Sequence, residues 1–279
     1  MKSMLVTGGA GFIGSNFVRK ILSEKKNLQI INLDALTYAG NYHNVEDLGS
    51  RHIFVKGDIC DTKLIDSLFQ EYDIAHVINF AAESHVDRSI SNPSVFVDTN
   101  VGGTQKLLSV CKKNWLTDPS NPRCTTYRDD VKYLQISTDE VYGALGPEGK
   151  FSENTPLSPN SPYSASKASA DMFVRAYVNT YHFPAVITRC SNNYGPYQFP
   201  EKLIPLAIKN LLSGKKVPIY GNGLQIRDWI YVEDHCDAVM TVLEKGSIGN
   251  VYNVGCENER TNLDIIKCIL SELDKPESC

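Results

Sequence analysis

The chain has no uninterrupted apolar stretch approaching the length that a membrane-spanning helix requires. It has no Cys-x-x-Cys pair and no cluster of histidines, although it carries eight cysteines, Cys60, Cys111, Cys124, Cys190, Cys236, Cys256, Cys268 and Cys279. Without ligand spacing, these read as reduced thiols in or near a core, and neither a metal site nor a disulfide framework is expected. Nor is there an excess of positive charge, since 28 lysines and arginines stand against 32 aspartates and glutamates for a net charge of −4. A chain so balanced offers no general polyanion surface, so nucleic acid is not an expected partner, and any phosphate must be held by local groups. The N-terminus enters a strand pattern at once, without the layout of a cleavable signal, and a cytoplasmic location is expected.

What is present begins with Met4-Leu5-Val6-Thr7-Gly8-Gly9-Ala10-Gly11-Phe12-Ile13-Gly14, a short apolar strand, a glycine-punctuated turn and the start of an amphipathic helix. In a dinucleotide-binding turn, Gly8 permits the tight bend, Gly11 lets backbone N–H groups approach the pyrophosphate, and Gly14 lets the helix pack on the strand. A second apolar run, Leu28 to Leu33, ends in Asp34, where a carboxylate can bond ribose hydroxyls and so favours NAD over NADP. Asp58 closes a third strand and could either bond the adenine amino group or cap the helix beginning near Lys63.

Apolar runs at Met4–Thr7, Ile30–Leu33, Ile53–Val55, Val77–Phe80 and Tyr133–Ile136 alternate with helical patterns at Phe12–Ser23, Lys63–Tyr72, Thr104–Lys113 and Ser164–Tyr181, and Ala185–Arg189 follows as a further strand. That alternation predicts a doubly wound α/β fold, a parallel Rossmann sheet with helices on both faces. With 42% hydrophobic residues, the chain can bury a core for one large domain plus a lobe. The expected division is a cofactor domain over 1–191 and a smaller substrate lobe over 192–279. In that lobe, helices near Lys202–Ser213, Val232–Lys245 and Leu263–Leu273 and strands near Val217–Tyr220 and Val251–Val254 are expected, with 230–245 able to pack back on the first domain.

Tyr163 and Lys167 are four apart and share a helix face, so the ammonium, together with an oxidised nicotinamide, can favour the phenolate. The strand Tyr133 to Ser137 runs into Thr138-Asp139-Glu140-Val141-Tyr142-Gly143 at a carboxyl end, where open α/β sheets bind ligands. Two adjacent carboxyls disfavour joint ionisation, which separates them into an acid and a base.

These motifs together resemble the extended short-chain dehydrogenase/reductase superfamily. Within it, Asp34 to Asn41, Ala81 to Ser89, Ser137 to Gly143, Pro200 to Pro205 and Arg227-Asp228-Trp229 resemble the dTDP-glucose 4,6-dehydratase family. The Asp139–Glu140 pair separates that family from its 4-epimerase and decarboxylase relatives. The resemblance implies a lyase with tightly bound NAD that oxidises C4 of a nucleotide-linked glucose, eliminates water across C5 and C6 and returns the hydride to C6. It implies Thr138, Asp139, Glu140, Tyr163 and Lys167 as catalytic residues. Cofactor contacts are implied for Gly8, Gly11, Phe12, Ile13, Gly14, Asp34, Leu36, Thr37, Gly40, Asp58 and Ile59. Ala81, Ala82, Ser84, Thr99, Ser137, Tyr163, Lys167 and Asn192 complete that set.

Substrate contacts are implied for Ser84, His85, Thr138, Asn192, Lys202, Leu203, Ile204, Pro205, Pro218, Tyr220, Arg227 and Asn262, with Arg227 suited to the diphosphate. From the residues alone, Thr99 could serve as a helix cap and Asn192 as part of a turn built by Asn, Gly and Pro. The resemblance also implies a homodimer joined through Thr104–Lys113 and Ser164–Tyr181, and a further segment beyond the position of Cys279 that carries another arginine near the diphosphate. A UDP-glucose 4,6-dehydratase and a non-catalytic NAD or nucleotide-sugar sensor are the alternative expectations.

Overall fold

The computed structural model describes residues 2–146, 149–219 and 221–276. Seven parallel strands form the central sheet: β1 (Ser3–Thr7), β2 (Gln29–Asp34), β3 (His52–Lys56), β4 (Ile74–Asn79), β5 (Lys132–Thr138), β6 (Ala185–Cys190) and β9 (Val251–Val254). Their order is β3-β2-β1-β4-β5-β6-β9. The chain steps outward from β1 to β3 and then crosses back to β4, so the winding reverses between β1 and β4 and opens a crevice above their carboxyl ends. Because all the strands run the same way, Gly8, Asp34, Thr138 and Cys190 come to one edge of the sheet.

Helices cover both faces. On one side, α1 (Phe12–Glu24) and α8 (Val232–Lys245) bury Phe17, Ile21, Val232 and Val239 against Met4, Val6 and Ile78. On the other, α2 (Thr62–Glu71), α5 (Thr104–Trp115) and α6 (Pro162–Tyr181) bury Ile65, Leu108, Trp115 and Val174 against Leu5, Val77 and Tyr133. A strand buried on both faces needs apolar residues at successive positions, which is why β1 and β2 read as runs and not as alternations.

Two segments differ from the sequence expectation. Val251–Val254, grouped above with the substrate lobe, is the edge strand of the main sheet, paired in register with β6. Its side chains alternate between the two cores, Val251 joining the α5/α6 side and Tyr252 the α1/α8 side, as a strand packed on both faces demands. Val217–Ile219 forms no strand, since Pro218 has no N–H to donate and Gly214 bends the chain at positive φ (+67°) just before it; Tyr220 lies outside the described residues. The strand in this region is β8 (Ile226–Tyr231), which carries Arg227-Asp228-Trp229 between β7 (Asn192–Tyr194) and β10 (Glu259–Thr261) in a separate three-stranded sheet. Helices α7 (Leu203–Leu212) and α9 (Asn262–Glu272) pack on one another through Ala207, Leu211, Ile266 and Leu270.

Between β4 and α5, the chain forms α3 (Val86–Ser91), α4 (Pro93–Phe96) and a π-helical segment over Val97–Gly103. Pro93 opens α4, where its missing N–H costs nothing. Among the described residues, no helix is long and apolar enough to cross a membrane, and no group of three His, Cys, Asp or Glu side chains is placed to hold a metal ion.

Candidate active site

A cavity of about 520 Å³ runs along the carboxyl edge of the sheet, from the glycine turn to β8 and α9. At the turn, Gly8 adopts φ +70°, and a Cβ there would come within 2.7 Å of the Ala81 nitrogen. A Cβ on Gly14 would lie 2.3 Å from the Gly8 carbonyl oxygen, so only glycine lets α1 approach the strand this closely. Among the described residues, no side chain caps the N-terminus of α1. Its first-turn N–H groups therefore face the cavity with the positive end of the helix dipole, a cradle that fits a pyrophosphate.

Asp34 is 7% exposed. Its carboxylate accepts the Ala10 N–H at 2.9 Å and the Leu36 N–H at 2.8 Å. Burial pushes its pKa up, while these amides pull the other way. The carboxylate thus locks the glycine turn and retains lone pairs for ribose hydroxyls. Leu36 does not line the cavity; at φ +53° its contribution is the amide it points at Asp34. Thr37, Gly40, Asp58, Ile59, Ala81 and Ala82 do line it. The cap of α2 is Asp61, which accepts the Lys63 and Leu64 amides, so Asp58 does not fill that role. Thr99 caps nothing: it lies inside the π-helical segment and faces the cavity.

At the end of β5, the chain leaves strand geometry in a 3₁₀ turn over Asp139–Tyr142, closed by Gly143 at φ +91°. This turn allows two consecutive carboxyls to stay near one site, which strand alternation would forbid. The Thr138 hydroxyl donates to Asp139 Oδ1 at 3.2 Å, and Glu140 lines the cavity. Asp139 is not on the wall; its hydrogen bond to Thr138 keeps it one residue behind. Burial raises both carboxyl pKa values, and for Glu140 the Asp139 charge adds to the rise while Arg227 and Lys202 oppose it.

Helix α6 begins with a capping box. Ser161 Oγ accepts the Ser164 N–H at 3.0 Å, Ser164 Oγ accepts the Ser161 N–H at 2.9 Å, and Pro162 occupies the first turn. Tyr163 is thereby fixed in that turn, ring edge toward Phe96, with Lys167 one turn later; both line the cavity. Lys167 is 4% exposed and donates to the Ile136 carbonyl at 2.7 Å. Burial raises the Tyr163 pKa well above the tyrosine norm, with Glu140, Cys190 and Asp139 adding to the rise and only Thr138 opposing it. These protein groups hold the phenol up, and the phenolate expected from sequence rests on Lys167 together with the oxidised nicotinamide. A carboxylate pair and a thiol surround a buried ring, and each disfavours a second negative charge.

The family model described as GDP-mannose 4,6 dehydratase matches residues 5–278. A dTDP-glucose 4,6-dehydratase of Xanthomonas campestris pv. campestris is 53% identical over 99% of this chain and 77% of its own length. The crystal structure of dTDP-glucose 4,6-dehydratase from Bacillus anthracis, in complex with NAD, superposes with a TM-score of 0.89 at 50% identity, covering 100% of this chain and 83% of that one. This chain belongs to the dTDP-glucose 4,6-dehydratase family. A second member, from Streptomyces venezuelae with NAD and TYD bound, superposes with a TM-score of 0.88 at 45% identity over 99% of this chain and 82% of that one.

In this dehydratase-family chain, Ser84, Asn192, Lys202, Leu203, Ile204, Arg227 and Asn262 line the far half of the cavity. Pro205 and Pro218 do not: Pro205 follows the wall residues into α7, and Pro218 is exposed in the irregular segment before β8. His85 is engaged elsewhere, its Nδ1 accepting the Arg88 amide to cap α3 and its Nε2 standing 3.4 Å from Glu201. Several wall residues escaped the sequence reading, among them Tyr38, Glu83, Phe199 and Glu201. Arg88 stacks 3.9 Å above the Tyr38 ring and reaches Glu201 at 3.6 Å, while Phe199 meets Tyr38 edge-on. This cluster joins the loop after β2 and helix α3 to the segment before α7, with Tyr38, Phe199 and Glu201 on the cavity wall. Tyr38, Arg88 and Glu201 all sat inside motifs that carried the family resemblance, so the signal was present without the contact that gives it meaning.

Proposed function

We propose that this chain is a dTDP-glucose 4,6-dehydratase, converting dTDP-glucose to dTDP-4-keto-6-deoxyglucose and water with bound NAD. The observation that carries the reading is a single cavity wall holding an uncapped glycine turn beside Asp34 at one end and Thr138, Glu140, Tyr163 and Lys167 at the other. When bound, NAD supplies the hydride acceptor for C4 and the hydride donor for C6, without net redox change. On the same wall, the Lys167 ammonium, together with the oxidised ring when bound, favours a Tyr163 phenolate against the neighbouring carboxyls.

Tyr163 removes the C4 hydroxyl proton, with the Thr138 hydroxyl hydrogen-bonded to the same oxygen. The resulting C4 ketone acidifies the C5–H, and Glu140 takes that proton as the general base on the wall. Asp139, whose raised pKa suits proton donation, turns from Thr138 toward the bound sugar to protonate the C6 hydroxyl, and water departs. Arg227 and Lys202 supply cationic groups at the end where a diphosphate would lie. The elements built from β7, β8, β10, α7 and α9 form the substrate lobe in this reading.

A homodimer belongs to the same proposal. Met172 and Phe173 on α6 and the neighbouring Val95 and Val97 are exposed apolar side chains, 38–55% accessible, that a second subunit would cover. The deciding experiment incubates the purified protein with dTDP-glucose and, separately, UDP-glucose, following loss of one water by mass. Conversion of the thymidine sugar alone supports the proposal. Conversion of the uridine sugar alone, or binding of NAD with no water loss from either, overturns it.

A further inference from the structure

Three segments far apart in the chain meet at one arginine. Tyr38 lies on the loop after β2 that also carries Thr37 and Gly40, wall residues assigned above to NAD. Glu201 immediately precedes Lys202, Leu203 and Ile204, which line the half of the cavity assigned to the nucleotide sugar. Arg88, in α3, touches both. Its guanidinium carbon stands 3.9 Å from the centre of the Tyr38 ring, and its Nη2 is 3.6 Å from Glu201 Oε2. Arg88 is not itself on the cavity wall, so it bridges two sets of wall residues from behind them.

The neighbouring contacts hold this bridge in place. His85 Nδ1 accepts the Arg88 N–H at 3.4 Å to cap α3, which leaves the proton of the neutral ring on Nε2, 3.4 Å from Glu201 Oε1. The two Glu201 oxygens thus face two different side chains from the start of α3. Tyr38 is held on two further sides: its hydroxyl shares a hydrogen bond with Ser84 Oγ at 3.2 Å, and its ring meets Phe199 edge-on at 5.7 Å. Phe199 is two residues before Glu201, so the segment ahead of α7 reaches Tyr38 directly as well as through Arg88. A guanidinium suits this position because its flat face stacks on an aromatic ring while its edge donates to a carboxylate.

We propose that Arg88 couples the two halves of the cavity, so that a nucleoside diphosphate held by Lys202 to Ile204 tightens the grip of the Tyr38 loop on NAD. A ligand that fixes the segment ahead of α7 fixes Glu201 and Phe199 against Arg88 and Tyr38, and the loop after β2 then has less freedom to open. Arg88 is in this sense a positioning residue, acting on NAD through Tyr38. The inference rests on the dehydratase reading for the identity of the two ligands, but it is measured by release of the cofactor and not by turnover.

In the test, NADH-loaded protein is chased with excess NAD, and the decay of bound NADH fluorescence gives the release rate with and without saturating TDP. TDP should slow release from wild type about fivefold, the low end of the usual range for coupled sites, because the contacts that carry the coupling are partly exposed. Arg88→Met keeps the length of the stem and removes the charge; its release rates with and without TDP should agree within about twofold, and Arg88→Lys should recover part of the difference. Glu201→Gln should also reduce the TDP effect, and combining it with Arg88→Met should add nothing further, since both act through one contact.

An arginine that only stabilises the fold would speed release equally in both conditions and leave the TDP ratio intact. That result in Arg88→Met, or a wild-type ratio below about twofold, overturns the inference. If wild-type protein binds NADH and TDP but removes no water from dTDP-glucose, the functional reading fails while the release ratio still decides the role of Arg88. Wild-type protein that retains no NADH, or binds no TDP, overturns the inference together with that reading of the cavity.

Discussion

The Thr138 hydroxyl accepts the backbone N–H of Glu140 at 3.3 Å, so the last residue of β5 caps the turn that carries both carboxyls. One side chain thus sets where the general base sits and which way the acid faces. Their roles separate experimentally in deuterated water. Glu140→Gln should lower kcat about 10²- to 10⁴-fold and abolish deuterium uptake at C5 along with water loss. Asp139→Asn should slow water loss while retaining C5 exchange, because the base is intact and only departure of the C6 hydroxyl is impaired. Mass spectrometry of recovered sugar distinguishes the two. Equal loss of exchange in both variants would contradict the assignment of acid and base.

Asp34 performs two tasks that substitution can divide. Asp34→Ala leaves the Ala10 and Leu36 amides without their acceptor and should cost about 1–3 kcal/mol of stability in addition to NAD binding. Asp34→Asn keeps an acceptor for one of the amides, so it should retain more of the stability but still lose NAD affinity, since its NH2 donates where a carboxylate accepted two bonds. Denaturant midpoints and NAD titrations on the two variants give the comparison. Equal destabilisation by Asn and Ala would show that the amide contacts do not matter to the turn.

The glycines of the turn are not equivalent. Gly14→Ala places a methyl 2.3 Å from the Gly8 carbonyl and 2.8 Å from the Gly9 Cα, and backbone atoms on both sides cannot yield. About 1–3 kcal/mol should be lost, with the cofactor site. Gly11 has φ −77°, open to any residue, and an added Cβ meets only the Gly8 oxygen, at 3.3 Å. Gly11→Ala should therefore melt within a few degrees of wild type while weakening NAD, because the methyl stands where phosphate oxygens approach the helix end. Matching stability losses in the two variants would refute this division.

Sequence periodicity made the sheet legible because strands buried on both faces must be apolar throughout, as β1, β2 and β4 are. The cofactor turn was legible because its glycines answer to local sterics. The irregular parts were not. Pro218 and its glycine-bent surroundings look apolar enough for a strand, and β9 carries too few residues to announce that it returns to the main sheet. Tyr38 and Glu201 come from separate loops and Arg88 from α3, so no spacing along the chain could bring them together. The helical spacing of Tyr163 to Lys167 was visible in the sequence, while the crowding of Tyr163 by Glu140 and Cys190 depends on strand order and was not.

His235 gives the fold a pH dependence of predictable sign. It is fully buried in α8, its Nδ1 2.8 Å from Asn193 Oδ1 and its Nε2 without a partner among the described residues. Burial lowers its pKa from 6.5 to about 4. The folded state thus favours the neutral ring, and its contribution is complete above the unfolded pKa and lost as pH falls from 6.5 toward 4. Protonation can remove up to about 3 kcal/mol across that window. Carboxylates titrate over the same range, so the test is a difference. Urea midpoints of wild type and His235→Gln, measured at several pH values from neutral downward, should converge as acid is added, because the glutamine variant lacks this titration. The neighbouring Asn193 belongs to β7 beside Asn192, so wild-type protein should also lose substrate affinity early in the acid transition. Parallel stability curves for the two proteins would mean that the ring is already charged, or hydrated, within the fold.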